Sequence, residues 1–148
     1  MWSSKGRKMC IDYGKKRIGI ALSDPTGTIA YPLEVVDMKS MEDLLARVGV
    51  IIEEHCVAEL VVGLPLSLSG KIGESAIEVL DFVVLLKESF DGLKIETWDE
   101  RLSTAFAEKE MIRDNVRRKK RRVVIDKLAA TVILQSYLDS GASDGPVE

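Results

Sequence analysis

The hydrophobic pattern opens with three short apolar runs separated by turn residues. Met9 to Tyr13 (Met-Cys-Ile-Asp-Tyr) reads as a strand stopped by Gly14, and the polar segment Lys15-Lys16-Arg17 reads as the turn that follows. Ile18 to Leu22 predicts a second strand, ended by Ser23-Asp24-Pro25 and the Gly27 turn. Ile29 to Val36 predicts a third, and Pro32 within it argues for an edge position, because proline cannot donate to a ladder. Strands joined by turns this short pair antiparallel. From Ser40 the period becomes helical. Ser40 and Asp43 suit a helix cap, and Leu44, Leu45, Val48, Ile51 and Ile52 follow at helical spacing.

The second half alternates. Glu59 to Gly63 is a short apolar run, hence a strand covered on both faces. Pro65 to Gly73 predicts a loop and Glu74 to about Glu88 a helix, whose all-apolar stretch Phe82 to Leu86 should be partly deep in the core. Leu93 to Trp98 predicts a fifth strand, followed by Asp99-Glu100-Arg101. Helices are expected over about 103–113 and 124–138, the last with Ile125, Leu128, Ala129, Val132 and Ile133 on one stripe. The order β-β-β-α-β-α-β-α-α requires parallel strands with crossover helices after an antiparallel start. It predicts an α/β fold with a mixed five-stranded sheet and helices on both faces, the RNase H-like layout. One domain over 1–140 is expected. The small, polar, acidic end of the chain predicts a flexible tail from 141.

Composition sharpens this in two places. Of the 148 residues, 46% are hydrophobic and 30% charged, the profile of a soluble globular protein, and no apolar stretch is long enough to span a bilayer. The N-terminus lacks the apolar core of a signal peptide. Cys10 and Cys56 lie far apart in apolar contexts, which fits a reducing cytoplasm, and with His55 as the single histidine they cannot build a four-ligand zinc site. The net charge of −3 hides a segregation: Arg117, Arg118, Lys119, Lys120, Arg121 and Arg122 are consecutive, and the rest of the chain without them carries −9. An acidic body with one basic strip points to a polyanion touching one place. Mutual repulsion predicts that the strip is a mobile loop ordering on its partner.

Three acids stand out. Asp12 interrupts an apolar strand just before a glycine, where a carboxylate is costly to bury without a cation or donors. Capping of the turn is the alternative. Asp99 and Glu100 end the fifth strand, where ligand sites of open α/β sheets cluster. Strand alternation sends them to opposite sides, so one would face a site while the other pairs with Arg101. Asp126 sits early in the last helix, beside the small pair Ala129-Ala130 that permits close approach to the sheet; a favourable acid in a first helical turn is its alternative. With the first strand central and the last helix across it, the acids of strand one, strand five and the last helix would converge. Such a cluster calls for divalent cations, and carboxylate oxygens suit Mg²⁺ or Mn²⁺ as two ions for phosphoryl chemistry. Lys15, Lys16 and Arg17 follow Asp12, and the strip precedes Asp126, so basic groups flank two of the acids. The Gly63 to Gly70 segment could offer backbone donors to a phosphate or be a plain connector. Asp24 is a weaker fourth acid, better read as the start of the Pro25 turn.

Four blocks, Ile11 to Ala21 with Ser23-Asp24, Val61 to Leu66 and on to Gly70, Asp99-Glu100-Arg101-Leu102-Ser103-Thr104, and Asp126 to Ala130 with Ile133-Leu134-Gln135, resemble the YqgF/RuvX family. The resemblance spans residues 11–138. It implies an RNase H-like fold and a bacterial cytoplasmic nuclease that processes the 5′ end of pre-16S rRNA, with Holliday junction resolution as the older assignment. It carries catalysis and metal binding to Asp12, to Glu100 or Asp99, and to Asp126. Related resolvases place their second acid on strand four, where this chain has Val62-Gly63-Leu64. The Arg117 to Arg122 strip is denser than the family pattern.

The first expectation is therefore a metal-dependent nuclease acting on structured nucleic acid, as a monomer or weak homodimer away from membranes. A non-catalytic RNA-binding assembly factor, or a Holliday junction resolvase acting on DNA, is the alternative. Asp12-Tyr13-Gly14 also resembles the first phosphate loop of sugar kinases, but those enclose nucleotide between two such domains.

Overall fold

The computed structural model describes residues 6–103 and 118–141, with side chains at 6–103 and 128–141. The elements are β1 (Arg7–Asp12), β2 (Arg17–Ser23), β3 (Ala30–Asp37), α1 (Met41–His55), β4 (Val57–Leu64), α2 (Glu74–Ser89), β5 (Lys94–Asp99), a 3-10 turn (Glu100–Leu102) and α3 (Arg118–Asp139). The helix expected over 103–113 lies outside the described residues beyond Ser103, and so does the expected tail beyond Gly141.

The strands form one sheet of order β3-β2-β1-β4-β5. β2 pairs antiparallel with β1 and β3, while β4 pairs parallel with β1 and β5. This is the predicted mixed sheet with β1 central. Pro32 sits on the edge strand β3, beside a register irregularity at Ile20/Ala21, where its missing N–H costs no ladder bond. Gly14 makes the return from β1 to β2 tight: a Cβ there would stand 2.5 Å from the Arg17 carbonyl oxygen. Ser40 caps α1, its hydroxyl accepting from the Asp43 N–H at 3.1 Å.

Alternation along the strands divides the core in two. Met9, Ile11, Ile18, Ile20, Leu60, Val62 and Ile95 point to the face covered by α1 and α2, where they meet Leu44, Val48, Ile51, Phe82 and Leu86. Phe82 is fully buried and stacks on Tyr13 with centroids 4.5 Å apart, whereas Val84, in the same apolar stretch, faces outward. Each fully buried side chain of this size contributes about 1.5–3 kcal/mol. Cys10, Ala21 and Val61 point to the other face, against Ala129, Ala130, Ile133, Leu134 and Tyr137 of α3. The alanine pair brings α3 close to the sheet, as the sequence predicts.

α3 corrects one expectation. It is already helical at Arg118, the first described residue of this segment and about six residues before the expected start near Val124, so Arg118 to Arg122 are helical and not a loop. Arg and Lys are strong helix formers, and the strip contains no glycine or proline to stop the helix from extending backwards. Arg117 and the side chains of Arg118, Lys119, Lys120, Arg121, Arg122 and Asp126 lie outside the described residues.

The direction of α3 follows from two contacts. Tyr137 donates to Glu59 near the start of β4, and Ile133 reaches Gly63 near its end. The helix therefore runs from the carboxyl ends of the parallel strands toward their amino ends. Its basic first turns belong to the carboxyl-end side. Gln135 ties the same helix to the edge: its Oε1 accepts from Ala30 N at 2.8 Å and its Nε2 donates to Thr28 O at 3.0 Å.

Candidate active site

Asp12 is the last residue of β1 and shares the parity of Cys10, so it lies on the α3 face at the carboxyl end of the central strand, nearly buried at 9% exposure. Glu100 follows β5, where Trp98 marks the same face by packing with α3. Both carboxylates act on one thiol. Burial first, then the negative charges of Asp12 and Glu100, push Cys10 well above the usual thiol range. An acid at the end of β1 and one in the turn after β5, strands that are not neighbours, thus face the same region across β4.

Gly63 of β4 separates them. A Cβ at Gly63 would lie 3.0 Å from Ile133 Cδ1 and 3.2 Å from Glu100 Oε2. The carboxylate that the chain carries after strand five is therefore seated over strand four. The sequence signal for this was a glycine inside an otherwise apolar strand, a mark of close approach.

Asp99 is differently engaged. Its Oδ1 accepts from the Arg101 N–H at 2.9 Å, and Arg101 Nε and Nη2 reach Oδ2 at 3.0 and 2.6 Å. Those side-chain bonds from Arg101 hold the Asp99 carboxyl below its ordinary range. Arg101 Nη1 also donates to Leu68 O at 3.4 Å and stands 3.3 Å from where a Gly70 Cβ would be. The fork thus ties the turn after β5 to the β4–α2 loop. Between these two segments lies a cleft of about 530 Å³, lined by Pro65, Leu66, Ser67, Leu68, Glu100, Arg101 and Ser103. The loop spends its own donors: Ser67 N reaches Lys71 O at 3.1 Å, Gly70 N reaches Ser67 O at 2.8 Å, and Lys71 N reaches Ser67 Oγ at 3.0 Å. It is a self-bonded connector at those positions and not an open phosphate cradle.

Of the basic residues after Asp12, Lys15 and Lys16 are exposed and Arg17 is half-buried at the start of β2. Lys15 Nζ stands 3.9 Å from Glu78 Oε1, both well exposed, a pair worth little and readily exchanged. Asp24 lies at the opposite end of the sheet from Asp12, since β2 runs antiparallel to β1. Its carboxylate accepts from Thr28 N at 2.7 Å and Ile29 N at 2.8 Å and organises the β2–β3 turn.

Asp126 occupies the stripe of α3 that carries Ala130 and Ile133, four and seven residues on. At 1.5 Å per residue it stands about 10 Å up the helix from Ile133, on the carboxyl-end side. No group of three or more His, Cys, Asp or Glu able to hold a metal forms among the described residues, which exclude the Asp126 side chain. The donors that are described, Asp12 and Glu100, offer oxygen only and fit a hard divalent cation.

The sequence model of the RuvX family, described as Holliday junction resolvase, matches residues 6–140. The chain belongs to the RuvX family. Relatives in that family are similar over nearly their full length. A protein of Desulforamulus reducens named "Putative pre-16S rRNA nuclease" is 50% identical over 92% of this chain and 98% of its own. One of Desulforudis audaxviator with the same name is 47% identical over 93% and 96%. Among solved structures, T. thermophilus RuvC in complex with Holliday junction substrate superposes with a TM-score of 0.56, covering 92% of this chain and 96% of that one at 16% identity. That likeness shows the fold alone, an RNase H-like one.

Proposed function

We propose that residues 1–140 form a divalent-metal-dependent nuclease domain that hydrolyses phosphodiester bonds of structured nucleic acid in the cytoplasm, with the 5′ end of pre-16S rRNA as its substrate. One observation carries it: Asp12 at the end of β1 and Glu100 in the turn after β5 face one region at the carboxyl ends of the sheet, with the Glu100 carboxylate seated over Gly63 of the β4 strand between them. Names of relatives up to 50% identical support the nuclease reading.

Asp12, Glu100 and Asp126 would hold Mg²⁺ or Mn²⁺. When bound, such ions polarise a phosphoryl oxygen and lower the pKa of an attacking water. The residues themselves orient and neutralise. Asp12 at the end of β1 and Glu100 in the turn after β5 would set the donor spacing, and Asp126 would join them from the helix across the sheet. Lys15 and Lys16 on the turn after Asp12, Arg17 at the start of β2 and the Arg117 to Arg122 strip would bind phosphates flanking the cut. Asp99, held by the Arg101 fork, braces the turn and is not a ligand.

The family description and the RuvC-like fold support a second substrate, the four-way DNA junction. A labelled 16S precursor and a labelled junction, each incubated with the protein and Mn²⁺ or EDTA, separate the readings. Cleavage of the precursor at its 5′ side, stopped by EDTA, is expected. Symmetric cutting of the junction alone would make the protein a resolvase acting as a dimer. Binding of precursor in EDTA with no cleavage in Mn²⁺ would make it a non-catalytic assembly factor.

A further inference from the structure

We infer that Gly63 is a positioning residue: the space left by its missing side chain is the seat of the Glu100 carboxylate. The inference rests on the assignment of Glu100 as a metal ligand. Glu100 leaves the end of β5, the edge strand, and β4 lies between it and Asp12 on β1. To approach Asp12, the carboxylate must cross β4 on the face that α3 covers. Any side chain on β4 at that level would occupy the crossing. At position 63 there is none, and Glu100 Oε2 and Cγ lie 3.2 and 3.3 Å from where a Cβ would be. On the other side Ile133 Cδ1, at 3.0 Å, closes the space from α3. Behind it, the Asp99–Arg101 fork fixes the backbone turn from which Glu100 projects. The φ of Gly63 is not in the left-handed region, so the glycine serves the space above it and not the strand's backbone.

A methyl group at 63 would force Glu100 or Ile133 to yield by a few tenths of an ångström. Mutating the groups that orient metal ligands typically costs 10–100-fold in metal affinity. A carboxylate borne by residue 63 itself would stand in the seat once Glu100 is shortened.

Mn²⁺ titration of the full-length protein, read by the EPR signal of free Mn²⁺, tests this, with circular dichroism and thermal melts confirming the fold of each variant. Gly63→Ala should bind Mn²⁺ about 10-fold more weakly. It should stay weak in Gly63→Ala/Ile133→Val, which relieves the helix contact but not the Glu100 one. Glu100→Ala should lose binding, Gly63→Asp/Glu100→Ala should regain it to within about 10-fold of wild type, and Gly63→Ala/Glu100→Ala should not. Wild-type Mn²⁺ affinity in Gly63→Ala overturns the inference, as does a folded Gly63→Asp/Glu100→Ala protein with no regained binding. If that double variant does not fold, Gly63→Ala and its Ile133→Val derivative decide alone. Unchanged Mn²⁺ binding in Glu100→Ala instead removes Glu100 from the ligand set, a separate failure of the underlying assignment.

Discussion

At the amino ends of the parallel strands, a buried ionic cluster holds the far end of α3. Glu59 of β4 is 3% exposed and Lys8 of β1 is 2% exposed, with Lys8 Nζ 3.9 Å from Glu59 Oε1. Tyr137 of α3 donates its hydroxyl to the other carboxylate oxygen, and Lys94 of β5 approaches the same oxygen at 3.6 Å from a half-exposed position. Tyr137→Phe removes one hydrogen bond to an ionised group and leaves the ring against Trp98, 5.2 Å away edge to face. Its expected cost is about 1.5–3 kcal/mol. Glu59→Gln is worse, because it leaves the Lys8 ammonium buried without its carboxylate, and breaking such a pair costs about 3–5 kcal/mol. For a domain of this size, each kcal/mol lowers Tm by about 2–4 °C, so Tyr137→Phe should fall by about 3–12 °C and Glu59→Gln by about 6–20 °C. Urea unfolding followed by Trp fluorescence and far-UV circular dichroism gives both free energies. If Glu59→Gln costs less than Tyr137→Phe, or if both lie within about 0.5 kcal/mol of wild type, the cluster does not clamp the helix, since that is the range of a surface substitution.

Two further outcomes follow from charge. Replacing Arg117 to Arg122 with Ser should weaken binding equally for two unrelated RNAs and flatten the log–log salt slope by about 0.7–0.9 per lost phosphate contact; an unchanged slope, or loss for one RNA only, would show that the strip does not clamp backbone. The backbone N–H of Ile29 first, then the Thr26 hydroxyl and Thr28 N–H, hold the Asp24 carboxyl far below its usual range. A carboxyl depressed by folding contributes stability above its unfolded pKa of about 3.9 and loses it as pH falls toward the folded value. Asp24→Asn should therefore melt below wild type at pH 7, with the gap narrowing in thermal melts below about pH 5; a gap that widens on acidification would contradict the sign.

The fold was legible because its signals are local. Gly14, Pro32 and Ser40 mark a turn, an edge strand and a helix cap through their own backbone chemistry. The switch from period two to helical spacing fixes the order of elements, and crossover rules then leave few topologies. What escaped the sequence depends on partners distant along the chain. The Lys8–Glu59–Tyr137 cluster joins residues from β1, β4 and α3, Glu59 and Tyr137 being 78 positions apart. The engagement of Asp99 by the Arg101 fork and the seating of the Glu100 carboxylate over Gly63 rest on contacts that have no period. The strip was read as a loop because six neighbouring cations repel, while the helix propensity of Arg and Lys outweighed that local cost.

The central claim is that Asp12 lies at the chemical centre of a metal-dependent nuclease. The most direct measurement is the Mn²⁺-dependent cleavage rate of a labelled 16S precursor by Asp12→Asn beside wild type, with Tm measured on the same samples. Asn keeps the shape of the side chain at the end of β1, so Tm should stay close to that of wild type while the rate falls by about 10²-fold or more, equivalent to about 2.7 kcal/mol of transition-state stabilisation. A folded Asp12→Asn protein that cleaves at the wild-type rate would contradict the assignment.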